Sequence, residues 1–183
     1  ADLTYVYAVA KEIAPILKKY CVVITKSTVP VGTSLEISNI IKKHNRNANF
    51  DVVSNPEFLR EGSAIEDFMR PNRVIIGCKN EKSKKIMENI YQPLNLIQTP
   101  ILFTDLKSAE LIKYACNNFF ATKISFLNEM RLVSDKVGAK WDDVLEGFIR
   151  DGRVGHSHTQ VPGPDGKFGF GGSCFPKDIQ AMI

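Results

Sequence analysis

Alternating strand and helix patterns, followed by one long uninterrupted helix, predict an α/β fold with a largely parallel sheet. Up to residue 104, short apolar runs typical of buried strands alternate with helical patterns of apolar residues. Residues 105–137 contain neither proline nor glycine, and Gly138 stands where a helix usually ends, which predicts one helix of roughly 33 residues. Residues 151–172 are rich in glycine and poor in apolar pattern, which is typical of a long functional loop.

Each element follows from a local pattern. Apolar residues at helical spacing predict an amphipathic helix over residues 3–19, capped by Asp2 and kinked at Pro15. Residues 21–25 form a β-branched run without alternation, which predicts a strand buried on both faces. The same reasoning predicts strands at 50–54, 73–77 and 101–104, and helices at 31–43, 81–91 and 141–149.

Composition limits the class of protein. Of the 183 residues, 44% are hydrophobic, enough for one domain or somewhat more with its own core. No apolar run approaches the roughly 20 residues of a membrane span, and no signal peptide pattern opens the sequence, so we expect a soluble, cytoplasmic protein without a membrane partner. The formal charge of +4 comes without the long basic run of a nucleic-acid binder. Four cysteines without a CxxC spacing favour neither a zinc ribbon nor a disulfide framework.

A glycine-rich turn near the C-terminal end carries the candidate nucleophile. The glycines within residues 169–172 permit positive φ and close approach of a ligand just before Cys174. Pro176 suits a first helical position and Asp178 a first turn, so we expect a helix that starts just after the thiol. That helix end, together with Lys177, would favour the nucleophilic thiolate. The alternative is a tight turn in which Cys174 is a small buried hydrophobic residue.

Polar residues follow two of the predicted strands. Ser27 and Thr28 leave the first strand, where ligands of open α/β sheets bind, although they could equally cap the next helix. Glu57 and Glu61 follow the second strand and would share one face if that turn were helical. The alternative for such a pair is two solvated charges.

The long helix and the loop after it supply further candidates. Lys113 and Asn117 lie one helical turn apart beside apolar residues. They either form part of a functional site or lie at the rim of the apolar surface, with the lysine extending its ammonium to solvent. His156 and His158 form a poor ligand set, so we expect no metal. A dinucleotide-binding domain normally opens with a strand, G-x-G-x-x-G and a helix, and no such glycine pattern follows a predicted strand here. The sequence is therefore expected to begin within its first domain and to bind a dinucleotide weakly or not at all by itself.

The motif Gly-Phe-Gly-Gly-Ser-Cys-Phe-Pro-Lys-Asp at 169–178 resembles the active-site signature of the UDP-glucose/GDP-mannose dehydrogenase family. Asn-Pro-Glu-Phe-Leu-Arg-Glu-Gly at 55–62 and Lys-Ser-Thr-Val-Pro at 26–30 resemble further family motifs, in the family's order. The resemblance implies that residues 1–104 are the C-terminal part of a Rossmann-like NAD-binding domain. Residues 105–183 would then hold the central long helix and a helical dimerisation segment carrying the catalytic cysteine loop.

The resemblance also implies an activity, NAD-dependent four-electron oxidation of the C6 alcohol of a nucleotide sugar to a carboxylate. We expect UDP-glucose as substrate, with GDP-mannose or a UDP-N-acetylhexosamine as alternatives. A catalytically incomplete structural or dimerisation fragment is the alternative from another class. The resemblance implies a homodimer in which the helix 105–137 packs against the same helix of a second copy. The sequence gives an independent reason, because this helix carries more apolar surface than one half-domain can cover. The apolar residues are Phe119, Phe120, Ile124, Phe126, Leu127, Met130 and Val133.

Residue roles are carried over by the same resemblance. Cys174 would be the nucleophile, Lys113 and Asn117 would stabilise oxyanions, and Glu57 would assist thioester hydrolysis with Thr28 and Asp178 nearby. The family varies the position of Arg60, and the loop 156–166 is longer than its common pattern. The implied substrate-binding residues are Phe58, Leu59, Arg60, Glu61, Arg153, Lys167, Phe168, Gly169, Phe170 and Gly171. The implied cofactor-binding residues are Ser27, Thr28, Glu61 and Lys177.

Overall fold

The computed structural model describes residues 2–97, 99–172 and 174–183, and the side chains of residues 95–97 lie outside the description. Within this part of the chain lie four strands and seven α-helices. They form two compact units, Ala1–Lys113 and Tyr114–Ile183, and the boundary falls within the longest helix.

The first unit alternates helices and strands, as the sequence predicts. Its strands are β1 (Cys21–Thr25), β2 (Phe50–Ser54), β3 (Val74–Gly77) and β4 (Ile101–Thr104). Its helices are α1 (Thr4–Ile13), α2 (Thr33–His44), α3 (Ala64–Met69) and α4 (Glu81–Tyr91), followed by the first turns of the long helix. The six-residue helix α3 is not predicted from the sequence, because its exposed apolar residues give no one-sided pattern.

The sheet has the order β1-β2-β3-β4. β1 pairs with β2 and β3 pairs with β4 in parallel, whereas β2 meets β3 in antiparallel direction at Ser54 and Gly77. The predicted α/β class with a mostly parallel sheet is therefore confirmed. The prediction that β1 is buried on both faces is wrong, because Cys21 and Ile24 are exposed. Among the described strands β1 has a neighbour on one side only, so less of it is covered.

Helices cover both faces of the sheet. Val52 and Val53, successive residues of β2, point to opposite faces, and each joins a different buried cluster. One cluster packs α1 and α2 against the sheet, and the other packs α4 against it. The cluster with Val52 contains Ala10, Ala14, Ile37 and Ile41, and the cluster with Val53 contains Val74, Ile76, Met87, Tyr91 and Leu94.

Proline and glycine shift two helix ends from their predicted positions. α1 does not run to residue 19 with a kink; it ends at Ile13 and passes into a 3₁₀ helix at Ala14–Ile16, because Pro15 has no N–H to continue the helix. Asp2 does accept a hydrogen bond from the N–H of Thr4 at 2.9 Å, although Leu3 occupies the N-cap. α2 begins two residues later than predicted, after Gly32, whose φ is +100°.

The second unit is helical. It contains most of α5 (Leu106–Val137), α6 (Trp141–Ile149) and α7 (Cys174–Gln180). α5 ends as predicted just before Gly138, which takes a φ of +74°. The N–H of Ala139 donates to the carbonyl of Ser134 at 3.0 Å. The buried cluster of the unit joins Leu127, Trp141 and Val161. Among the described residues, no helix is both long enough and apolar enough to cross a membrane.

Candidate active site

An ion pair between Glu57 and Lys113 lies at the centre of the candidate site in the first unit. The Lys113 Nζ lies 3.2 Å from one carboxylate oxygen of Glu57, and the lysine side chain is 8% exposed. The other oxygen accepts the N–H of Leu59 at 2.6 Å. The ammonium also lies 5.3 Å from the ring centroid of Phe58. A lysine buried and paired in this way is not snorkelling, so that alternative is wrong.

The segment before Glu57 is held by a buried amide. Asn55 is 2% exposed, and its side chain donates to the carbonyl of Ile75 at 2.8 Å and accepts from the hydroxyl of Tyr91 at 2.5 Å. Its backbone N–H donates to the carbonyl of Thr25 at 2.9 Å. These bonds join the end of β2 to β1, β3 and α4. Sequence reasoning missed Asn55 and Tyr91 as supports, because only the fold brings their partners together.

Residues 55–60 follow β2 in an irregular conformation. The helical turn that would place Glu57 and Glu61 on one face is therefore not present. Glu61 lies exposed in a turn, as the alternative of a solvated charge expects for it. Glu57 is instead paired with Lys113 on α5.

Two further cations surround the Glu57 segment. Lys26 and Arg73 line a cleft together with Glu57 and Phe58. The Arg73 guanidinium lies 3.9 Å from the centroid of the Phe58 ring. Loss of hydration around part of the Lys26 side chain lowers its pKa; the negative charge of Glu57 opposes this, and the positive charge of Lys113 adds to it.

Ser27 and Thr28 stand directly beyond the carboxyl end of β1, with Ser27 exposed and Thr28 half-buried. They do not cap α2, so that alternative is wrong. The N–H groups of Gly32 and Ser34 at the start of α2 donate instead to the carboxylate of Glu110, at 2.6 and 2.8 Å. Glu110 is 2% exposed and lies one turn before Lys113 on α5. No sequence signal singles out Glu110, because its partners lie more than 70 residues away.

A second polar cluster lies within the second unit. The amide of Asn117 donates to a carboxylate oxygen of Asp178 at 2.6 Å, and Asp178 is 1% exposed. The other oxygen of Asp178 binds the ammonium of Lys177. Asn117 and Asp178, both candidates from the sequence, are therefore in direct contact. The ammonium of Lys177, which is expected from the sequence to favour the thiolate and to bind the cofactor, is paired with Asp178.

The sequence predicts a helix that starts just after Cys174. In the structure Cys174 is itself the first residue of α7. Pro176 consequently stands third in the helix, where its missing N–H costs nothing because first-turn N–H groups have no partner within the helix. The Cys174 side chain is exposed, so the alternative of a buried hydrophobic residue is wrong. Gly169 and Gly172 take φ values of +102° and +80°, as the glycine-rich turn predicts.

The remaining substrate candidates lie mostly on the surface. The guanidinium of Arg60 pairs with Asp67 at 2.6 Å, and that of Arg153 pairs with Asp151 at 2.5 Å. The Arg153 side chain is 90% exposed. Phe170 is half-buried, whereas Leu59, Lys167, Phe168, Gly169 and Gly171 are exposed.

The described residues fit part of an NAD site. Hydroxyl side chains beyond the carboxyl end of a strand suit a cofactor bound at the edge of an α/β sheet. The glycine turn that would hold a pyrophosphate does not follow any of the four described strands. In the part of the chain that is described, no group of three His, Cys, Asp or Glu side chains is placed to hold a metal ion.

An α/β unit with polar side chains beyond its strand ends belongs to the class of folds that bind ligands there, dinucleotides among them. Residues 1–95 match the NAD binding domain of the UDP-glucose/GDP-mannose dehydrogenase family, and residues 107–183 match its central domain. The chain belongs to the UDP-glucose/GDP-mannose dehydrogenase family. The predicted cofactor, NAD, is confirmed by the identity of the first domain.

Curated relatives include the UDP-glucose 6-dehydrogenase of Rhizobium meliloti (strain 1021), which is 51% identical over 185 residues, and UDP-glucose 6-dehydrogenase TuaD of Bacillus subtilis (strain 168), which is 47% identical over 184 residues. Each alignment covers 100% of this chain but only 41% and 38% of the relative. The chain thus spans about two fifths of the length of the relatives it matches.

Solved structures agree with the fold. A UDP-glucose dehydrogenase from the hyperthermophilic archaeon Pyrobaculum islandicum is similar with a TM-score of 0.90 and 39% identity, over 100% of this chain and 41% of that one. A GDP-mannose dehydrogenase from Pseudomonas aeruginosa is similar with a TM-score of 0.77 and 33% identity, over 99% of this chain and 42% of that one.

Proposed function

We propose that the full-length protein containing this chain is an NAD-dependent UDP-glucose 6-dehydrogenase that converts UDP-glucose to UDP-glucuronate. The observation that carries the proposal is the exposed Cys174 at the start of α7, in the unit that also holds the Asn117–Asp178 pair. The identities of 51% and 47% to proteins with this activity support the choice of substrate.

The thiol of Cys174 makes the second oxidation possible. NAD, when bound, supplies a hydride acceptor for each of the two oxidations. The C6 alcohol first loses a hydride and a proton to give an aldehyde. The Cys174 thiolate then forms a C–S bond to the aldehyde carbon, and protonation of the oxygen gives a thiohemiacetal. Loss of a second hydride and a proton leaves a thioester on Cys174.

Charged and amide side chains would stabilise the oxygen of each stage. We assign the Lys113 ammonium and the Asn117 amide to the developing oxyanions, because preorganised donors of this kind lower the barrier most where water is excluded. Both residues are buried, at 6% and 8% exposure. Their held partners, Glu57 and Asp178, keep these donors oriented.

Hydrolysis of the thioester releases the acid. We assign the Glu57 carboxylate to accept a proton from the attacking water, with Thr28 and Asp178 in supporting roles. Breaking the C–S bond then returns the thiol of Cys174. The two polar clusters are assigned to one reaction on the strength of the family resemblance alone.

The test replaces Cys174 by serine in the full-length protein. We expect a wild-type stoichiometry of two NADH per UDP-glucose, and loss of UDP-glucuronate formation by about 10³-fold or more in Cys174→Ser, because the weaker hydroxyl nucleophile cannot carry the thioester route. Cys21→Ser, at another exposed cysteine, is the matched control and should keep wild-type turnover. Near wild-type acid formation by Cys174→Ser would remove the nucleophile from the proposal.

A second candidate substrate comes from the GDP-mannose dehydrogenase similarity, at 33% identity. The test compares kcat/KM for UDP-glucose, GDP-mannose and a UDP-N-acetylhexosamine on the full-length protein and so distinguishes the candidate substrates. We expect UDP-glucose to exceed the others by at least about 100-fold, the discrimination a polar binding site can provide. Turnover of none of the three, in protein that binds NAD, would favour a structural role instead.

We also propose a homodimer through α5. Phe119, Phe126 and Val137 remain 62%, 49% and 71% exposed. Leu127 of the same helix is covered by Trp141 of α6 and by Val161 of the loop that follows. Such a patch of large apolar side chains on one helix is typical of an interface. Light scattering of the full-length protein is expected to give a dimer or a multiple of it. A strictly monomeric species at high micromolar concentration would contradict this.

A further inference from the structure

The loop segment of residues 154–158 is tied to α5 by one lysine. The Lys123 ammonium donates to the carbonyls of Val154, Gly155 and Ser157 at 3.1, 2.9 and 2.7 Å, which uses all three of its N–H donors. Loss of hydration lowers the pKa of Lys123. The contacts lie just before and at the start of the loop extension 156–166, for which the family resemblance offers no role.

The same segment ends in an aromatic stack that reaches α7. The ring of His158 lies parallel to the ring of Phe120, with centroids 4.1 Å apart and an interplanar angle of 12°. The His158 ring also meets the ring of Phe175 edge to face, with centroids 5.7 Å apart and an interplanar angle of 60°. Phe120 and Lys123 are three residues apart on α5, so one face of that helix supplies both the stack and the anchor. Phe175 is the residue after Cys174.

His158 takes a backbone conformation that has a cost. Its φ of +60° lies in the left-handed region, which residues with a Cβ seldom adopt. A glycine would take this conformation more readily, but it would have no ring to stack. The ring stack is therefore the contact that this backbone conformation serves.

We propose that residues 154–158 form a brace that holds the first turn of α7, with Lys123 as its anchor and His158 as its contact. Both are positioning residues that act on Cys174 through Phe175. The inference rests on the proposed function, because it assigns the brace to the orientation of the nucleophile. It gives the start of the loop 156–166 a role in catalysis without contact with substrate.

The test uses the full-length enzyme and two readouts, hydrogen–deuterium exchange of the peptide covering residues 174–181 and steady-state kinetics. In His158→Ala we expect exchange in that peptide to become about tenfold faster, the change that loss of a ring stack predicts. We expect kcat to fall about tenfold or more while KM for NAD stays within about threefold, because misplacing a reacting group lowers the rate of chemistry. Lys123→Met should act in the same direction.

Matched variants separate positioning from general destabilisation. His158→Phe keeps the ring and has the same φ requirement as alanine, so it should restore exchange and kcat to within about threefold of wild type. His156→Ala changes an exposed histidine of the same loop, and Lys136→Met an exposed lysine of the same helix, and both should match wild type.

Two results would overturn the brace. Unchanged exchange at 174–181 in His158→Ala would show that the segment does not hold α7, whatever the enzyme's reaction. Faster exchange with unchanged kcat would show that α7 needs no brace for turnover. If Cys174→Ser proved active, the proposed nucleophile would fail separately, and the exchange measurement would still decide whether the brace exists.

Discussion

Replacing Gly77 by alanine tests the contact between β3 and the start of α5. Gly77 is the last residue of β3, and a Cβ at this position would lie 2.7 Å from the Cβ of Ala109, 2.7 Å from the carbonyl oxygen of Asp105 and 3.0 Å from the Cα of Leu106. Non-bonded carbon atoms normally lie about 3.5–4.0 Å apart, so the first turn of α5 or the end of β3 must move by about 1 Å.

The magnitude follows from what the added methyl group meets. Overpacking costs about 1–3 kcal/mol, and we expect about 3 kcal/mol because two of the three nearest atoms belong to the backbone and cannot rotate away. At roughly 2–4 °C per kcal/mol for a chain of this size, the melting temperature should fall by about 6–12 °C. The shift also moves the helix that carries Glu110 and Lys113, so activity should fall with stability.

The assay is thermal unfolding followed by circular dichroism, with guanidinium unfolding to obtain the free energy of unfolding. Gly147→Ala is the matched control, because Gly147 lies inside α6 and a Cβ there meets nothing within 4 Å. That variant should be neutral or up to about 1 kcal/mol more stable, from the higher helix propensity of alanine. A Gly77→Ala protein that melts within 2 °C of wild type, at the precision expected of such scans, would refute the packing argument.

Two further predictions concern the buried supports of the candidate site. Tyr91→Phe removes the hydroxyl that donates to Asn55 and should lower the free energy of unfolding by about 1–2 kcal/mol. The control Tyr5→Phe, at a residue 81% exposed, should change it by less than about 0.5 kcal/mol. Equal effects of the two variants in a denaturant titration would contradict the role of Asn55. Glu110→Gln places an NH₂ group against one of the N–H donors of Gly32 and Ser34 and should cost about 1–3 kcal/mol, while Glu129→Gln, at an exposed residue of the same helix, should not. A Glu110→Gln protein as stable as its control would show that these two hydrogen bonds contribute little.

Local patterns in the sequence determine most of the secondary structure. The strands at 21–25, 50–54 and 101–104 and the helices at 81–91 and 141–149 have their predicted bounds, and α5 ends at Gly138 as expected. These elements depend on residues within a few positions of one another, which a single sequence displays. The motifs also indicate the family, because Cys174 and its neighbours stand at fixed local spacing.

Only the tertiary structure decides how the candidate residues are paired. Glu57 binds Lys113 across 56 positions, Asn117 binds Asp178 across 61, and Glu110 binds Gly32 across 78. Such pairs form because the packing of helices on a sheet brings distant backbone segments together, and no periodicity in the sequence records that geometry. The position of Pro15 shows the same limit, because proline indicates where a helix is disturbed but the packed chain decides whether the helix kinks or ends.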